Sequence, residues 1–417
     1  MMIKFKGIVL FIVALLVGGA TMNKALAETF AESFTVGDLT YTIQSDGENV
    51  SVKWNGTSTL VNIEIPAQVT NPSNSQTYTV KQVANNAFNG CSNLQSVILP
   101  STITTILANA FKECSKLKTI KLPASLTEIN SSAFYKDYKL ETVIFEGASA
   151  PTLNNVFSQI YTPQFTLQVI STAAKESFEA HSNWSVSIKN IVIVPVAISE
   201  SADNSSALTA KAGLTADVNL TRTIHHESYN SICLPFALSA AQVEAVFGAG
   251  CDIEELTDAS IANEEITLNF TKRTTMEAGK PYLIKPASTV TNPTVCNAVL
   301  TNTVVPSGNA DVTFSGIFSR TQMEASDNTL VIGAENKLHP VTAGEMPGLR
   351  GFFVLKTDRA RAAAKRGIHL SMGDNNEETA IETAQVAETP TTKCIINGQL
   401  HIIRNGIHYD AQGSIIQ

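Results

Sequence analysis

Ala87-Phe88, Ala110-Phe111 and Ala133-Phe134 recur at intervals of 23 residues, and Val156-Phe157 continues the spacing. Four more apolar columns keep the same register: Leu94, Leu117 and Leu140; Val97, Ile120 and Val143; Leu99, Leu122 and Phe145; and Val83, Ile106 and Ile129. Pro100 and Pro123 close two of the repeats. Pro66, 34 residues before Pro100, takes the same place once one period is lengthened by an 11-residue insertion around the polar stretch 70–78. A unit of 23 residues with several apolar columns cannot bury its own face, so each coil must stack on the next. This spacing predicts a solenoid from about residue 60 to about residue 146.

Within each coil, residues 94–99, 117–122 and 140–145 alternate with the period of a strand. If Val97, Leu99, Ile120, Leu122, Val143 and Phe145 point inward, their neighbours point outward. That places Ile98, Lys121 and Ile144 in one outward column and Ser96, Thr119 and Thr142 in the next, with Asn62 and Glu64 extending the face in the first coil. Stacked coils lie about 4.8 Å apart, so these eight side chains are expected to form one continuous strip, the candidate binding surface.

The run Ala87-Phe88-Asn89-Gly90-Cys91-Ser92-Asn93-Leu94, followed by Val97-Ile98-Leu99-Pro100, resembles the BspA-like leucine-rich repeat family of bacterial surface proteins. It recurs closely from Ala110 to Pro123 and more loosely from Ala133 to Phe145, where Asp137 and Glu146 replace the cysteine and the proline. Residues 151–184, with Phe157, Leu167, Phe178 and Trp184, resemble that family's closing coil and capping helix. The resemblance implies an extended interaction surface and often adhesion to host or microbial partners, not catalysis; with the irregular last one, the solenoid is expected to have about five coils. Cys91 and Cys114 share one position of successive coils and are read as stacked packing residues, with a disulfide as the alternative.

Residues 1–27 open with Lys4 and Lys6, continue through an apolar run and end on Ala25-Leu26-Ala27, the pattern of a cleaved signal peptide. The run is too short for a stable membrane span, which needs roughly 20 residues. Loss of the segment removes Lys4, Lys6 and Lys24, taking 29 bases to 26 against 37 acids, a net charge near −11. Acidic, dispersed charge without a basic stripe argues against nucleic acid as a partner. The expected location is secreted or in the cell envelope, with a protein or glycan partner on a host or microbial surface; the oligomeric state is left open. Six cysteines in so long a chain are too sparse to require a disulfide framework.

The organisation expected is a signal peptide (1–27), an N-terminal cap with solenoid and closing cap (28–198), a small polar linker (199–216), a mainly β domain, sandwich or barrel (217–372), an acidic linker (373–391) and a short β-hairpin tail (392–417). The fold class is thus mixed, a repeat solenoid of short parallel strands followed by β structure. Strand signals fall at 217–224, 231–236, 265–270, 281–284, 312–318, 329–332 and 351–355, with one helix at 239–247 capped by Ser239 and ended by Gly248. The strings Asn230 to Phe236, Ala278 to Pro286 and Gly348 to Phe353 resemble a β-domain that accompanies such repeats in exported Bacteroidetes proteins, and Tyr409 to Gly413 resembles their tail motif. Two Asn-Gly pairs, Asn397-Gly398 and Asn405-Gly406, predict tight turns in that tail.

Candidate chemistry is thin. His225-His226-Glu227 lacks the i, i+4 spacing that places two imidazoles on one helix face, and reads as an exposed turn. Glu254-Glu255 and Glu264-Glu265 are adjacent pairs whose side chains point apart, and they read as solvated faces. No nucleophile elbow, phosphate loop or dinucleotide fingerprint occurs, so no enzyme, cofactor or metal is expected. The alternative function is a carbohydrate-binding or carbohydrate-processing role in the second domain.

Overall fold

A computed structural model describes residues 32–373, apart from 57–58, 154–164, 182–183, 185–187 and 334–335, and the backbone of four further strands, Glu377–Thr379, Thr392–Ile396, Gln399–Arg404 and Ile407–Tyr409. The expected signal peptide, Val156-Phe157, the two Asn-Gly turns and residues 410–413 lie outside the described residues. The chain divides into two compact units, 1–194 and 195–417.

The first unit is the coil stack. Six strands, Asn62–Glu64, Ser96–Ile98, Thr119–Leu122, Thr142–Phe145, Phe165–Val169 and Ile188–Ile193, pair in parallel in chain order. The other wall is built from Thr77–Val83, Thr105–Ile106, Glu128–Ile129 and Thr152–Leu153, also parallel, with Val83, Ile106, Ile129 and Leu153 in register. The antiparallel meander Ser33–Val36, Leu39–Ile43 and Asn49–Trp54 extends this second wall and covers the first coil.

Between the walls the repeat columns become ladders. Phe88, Phe111 and Phe134 stack with ring centroids 5.3 and 5.4 Å apart and planes within 5°. All three are buried, as are Leu94, Leu117 and Leu140. The turns repeat as faithfully as the side chains do. Phe88 N donates to Ala110 O and Phe111 N to Ala133 O, while Gly90 N donates to Lys112 O and Glu113 N to Tyr135 O, so each coil's turn is hydrogen-bonded to the next. Gly90, Glu113 and Lys136 all have positive φ at this position, a conformation that costs glycine nothing and a side-chain-bearing residue something.

The stack ends on helix Thr172–Ala180, which Ser171 caps by accepting from Ala174 N. Phe178 is buried edge-on between Phe145 and Trp184, at 5.2 and 4.7 Å, and the Trp184 indole donates to Pro151 O at 3.2 Å. An apolar end that no further coil covers is sealed this way.

The insertion at 70–78 is an antiparallel hairpin, Gln68–Thr70 against Thr77–Val83. Three expectations need correction here. The face has six strands, because Ile188–Ile193 continues it at a spacing of 24 residues from Phe165–Val169, Thr166 pairing with Asn190. The first unit stops at 194 rather than 198, since Val196–Ser199 pairs in parallel with Thr215–Thr221 of the second. Residues 199–216 are no linker: they hold helix Ser205–Lys211, in which the small polar residues flank a buried Leu208.

The second unit is dominated by two sheets. One has six strands in the order Asn230–Cys233, Pro281–Lys285, Asp252–Ala262, Glu265–Lys272, Ile368–Met372, Glu377–Thr379. The other has five, in the order Ser307–Gly308, Val312–Ile317, Arg350–Leu355, Ser326–Ile332, Leu338–Val341. Leu256, Leu268, Phe270 and Leu283 from the first meet Phe314, Leu330, Phe353 and Leu355 from the second in one buried cluster, which helix Asp358–Ala364 joins through Ala360, Ala363 and Ala364.

Close packing explains two of the strings singled out in the sequence. A Cβ on Gly351 would lie 2.5 Å from the Phe314 ring, and one on Gly279, at φ +76°, would lie 2.1 Å from Thr303 O. Helix Ala240–Phe247 begins at Ser239, with the full reciprocal Ser239–Gln242 cap, and ends at Gly248 with φ +89°. Glu377–Thr379 pairs with Ile368–Met372, so the segment expected as an acidic linker contains a strand, and the tail forms a three-stranded antiparallel meander.

Candidate interaction surface

The outward residues of the six-stranded parallel face fall into two columns. Asn62, Ser96, Thr119, Thr142, Thr166 and Asn190 pair in sequence across it, and so do Glu64, Ile98, Lys121, Ile144, Gln168 and Val192. Eight of these twelve are the residues expected from the sequence. All eight lie on this face, exposed or half-buried, while their alternate neighbours Val97, Ile120, Leu122, Val143 and Phe145 are buried. Thr166, Gln168, Asn190 and Val192 escaped the sequence reading because the spacing there lengthens from 23 to 24 residues. The alternation in Phe165–Val169 and Ile188–Ile193 was the available signal.

The two columns differ in chemistry. The first carries only hydroxyls and amides, joined at its ends: Ser96 Oγ donates to Asn62 Oδ1 at 2.7 Å and Thr166 Oγ1 to Asn190 Oδ1 at 2.8 Å. The second alternates polar and apolar groups along the stack. Ile98 is 53% exposed and Val192 39% exposed, on a domain whose other large apolar side chains are mostly inside. Lys121, between Ile98 and Ile144, forms an ion pair with Glu146 at 3.1 Å. Such a face offers backbone-rigid hydrogen-bonding groups beside apolar contacts, each isoleucine able to contribute about 1.5–3 kcal/mol when fully covered.

The cysteine column lies on the inside. Cys91 and Cys114 are buried free thiols, and Cys114 Sγ sits 3.3 Å from Phe88 O. Burial pushes the Cys91 thiol up to about 11 and that of Cys114 higher still, which suits packing and not nucleophilic chemistry. Asp137 follows them one coil on. It is 1% exposed, and burial pushes its carboxyl up to about 9 against the lowering effect of the Cys114 N–H.

His225-His226-Glu227 is an exposed turn, with side chains 48 to 67% accessible. The adjacent glutamates divide. Glu264 and Glu265 are surface residues paired with Arg366 at 2.6 Å and His369 at 3.1 Å. Glu254 and Glu255, expected on a solvated face, are instead buried, third and fourth in the 11-residue strand Asp252–Ala262. Glu255 is held by Arg273 at 2.7 Å and Lys280 at 3.0 Å; burial opposes its ionisation, but these two cations outweigh it and lower its pKa. No cluster of three or more His, Cys, Asp or Glu suited to a metal ion occurs among the described residues, and no described helix is long and apolar enough to cross a membrane.

A stack of short parallel strands with periodic turns and a sealed apolar end is a solenoid repeat protein. Residues 55–185 match, in six copies, the family model described as a BspA type leucine rich repeat region. A leucine-rich repeat protein of known structure from Bacteroides capillosus is 28% identical over 33% of this chain and 97% of its own, with a TM-score of 0.28. One from Bacteroides ovatus is 22% identical over 40% of this chain and 43% of its own, with a TM-score of 0.27. A leucine rich cell surface protein from Faecalibacterium prausnitzii is 24% identical over 40% and 45%, with a TM-score of 0.25. The chain thus spans under half of the latter two. No curated protein matches it.

Proposed function

We propose that the chain is an exported, non-catalytic binding protein whose six-stranded parallel face is a protein-interaction or adhesion surface. The observation that carries this reading is the second outward column, in which Ile98, Ile144 and Val192 alternate with Lys121 and Gln168 on a rigid sheet. Apolar anchors ringed by polar groups are what a protein partner uses for affinity and register. Fixed coils favour this further, because the surface loses little conformational freedom on binding. The repeat region gives the family's architecture to this face, and the N-terminal segment 1–27 is read as the export signal. The second unit is read as a companion β-domain.

The test uses the full chain immobilised against purified extracellular-matrix and cell-surface proteins, with Ile98→Ser/Lys121→Ser/Ile144→Ser alongside. A partner captured by the native chain and lost by the variant, at unchanged melting temperature, supports the reading. Equal capture by both removes the face as the site.

A further inference from the structure

The middle coils, residues 110–155, hold six lysines against five acids, a formal charge of +1 in a chain of net −8. Lys112, Lys116, Lys118, Lys121, Lys136 and Lys139 fall within two consecutive coils, and the chain's first arginine is Arg222. Stacking gathers these lysines in a way the linear charge count conceals. Lys116 and Lys139 are one period apart and both exposed. Lys112 and Tyr135 are likewise one period apart, and the Tyr135 ring centroid has Lys112 Nζ at 5.4 Å and Lys136 Nζ at 5.2 Å.

The acids of the same coils, Glu113, Glu128, Asp137, Glu141 and Glu146, nearly match the lysines in number but leave four of them without an ion pair among the described residues. Lys121 pairs with Glu146 at 3.1 Å and Lys136 with Glu113 at 3.4 Å. Lys112, Lys116, Lys118 and Lys139 have no carboxylate within ion-pair distance among the described residues, Lys116 donating instead to Asn93 Oδ1 at 2.7 Å. Glu141 follows Lys118 one coil on without pairing with it, and Asp137 is turned into the core. Tyr138, the residue before Lys139, is 44% exposed.

We propose that the lysine–tyrosine face around Lys112, Lys116, Lys118, Lys139 and Tyr138 binds a linear anionic polysaccharide. Ammonium groups on flexible stems meet single oxyanions without the paired geometry that an arginine fork imposes, which suits sulfate or carboxylate groups repeated along a polymer. Lys116 and Lys139, repeated from one coil to the next, would meet successive charges of such a chain. The exposed phenol ring supplies an apolar face for a sugar ring, a contact that an acidic peptide or nucleic acid phosphate would not need. This site adjoins the sheet face but does not depend on its being a binding surface.

The experiment titrates the full chain with heparin and with polygalacturonate, using neutral dextran and poly-glutamate as comparisons. Binding of heparin, polygalacturonate or both is expected, tighter than poly-glutamate and weakening with salt, and the two arms tell sulfate from carboxylate recognition. Lys112→Gln/Lys116→Gln/Lys118→Gln/Lys139→Gln should lower affinity about tenfold or more. Tyr138→Ala should weaken binding with the salt dependence unchanged. Should the fourfold variant melt early, the exposed pair Lys116→Gln/Lys139→Gln reads the same loss. Absence of binding to both polysaccharides, binding unaltered in these variants, or poly-glutamate binding as tightly would overturn the proposal.

Discussion

The backbone N–H of Cys114 donates to Oδ1 of Asp137, one coil away, at 2.8 Å. Two coils place a cysteine at this position and the third an acid, so a polar group stands where the column is otherwise apolar. Oδ2 of Asp137 has no hydrogen-bond partner among the described residues.

Burial of this carboxyl makes the solenoid's stability depend on pH. Burial raises the Asp137 carboxyl from its ordinary 3.8 to about 9, so unfolding releases a proton at intermediate pH. The contribution is fully present below about pH 4 and is lost as pH rises toward the folded value. Asp137→Asn keeps the acceptor for Cys114 and removes the ionisation. Thermal melts of the two proteins should converge near pH 4 and separate in favour of the variant toward pH 9. A difference independent of pH would show that Asp137 does not titrate as its burial requires.

The phenylalanine ladder should be most sensitive at its middle rung. Phe111 is flanked by Phe88 and Phe134, so its truncation removes contacts on both sides. Phe111→Ala should cost about 3–5 kcal/mol, measured by denaturant unfolding of the full chain. A cost under about 1 kcal/mol would mean the coils collapse to refill the space.

In the second unit Arg222, 2% exposed, donates to the carbonyl oxygens of Leu349 and, at 2.7 Å, Ser231, with Glu200 Oε2 3.7 Å from its Nε. Replacement by methionine fills similar volume but leaves two buried carbonyls and a carboxylate without their cation. Arg222→Met should destabilise the unit by about 3–5 kcal/mol, seen as an earlier calorimetric transition. Arg350, which also reaches Glu200 at 2.8 Å, could take up part of that loss, and Arg350→Met tested together with it would show the coupling.

Much of the first unit was legible because a repeat tests its own alignment. A residue such as Ile120 is placed by Val97 and Val143 as much as by its own neighbours, and the outward column follows from the same register. Where period or composition changed, the reading weakened. Ile188–Ile193 lies beyond a shift to 24 residues, and Leu208 is a single apolar residue among small polar ones. Glu255 looked solvated because nothing local announces its cations Arg273 and Lys280, which arrive from the connection between two other strands, Glu265–Lys272 and Pro281–Lys285. The lysine face was hidden for a related reason: charge was counted along the chain, whereas the coils sum it across a stack.

The central claim is that the outward columns of the parallel face, and not the surface of the solenoid in general, make the interaction. The most direct test compares two variants against the same captured protein partner: Ile98→Ser/Lys121→Ser/Ile144→Ser on that face, and Thr105→Ala/Glu128→Ala/Thr152→Ala on the opposite wall. Affinity should fall about tenfold or more for the first and stay at the native value for the second. Equal losses, or a loss confined to the opposite wall, would contradict it.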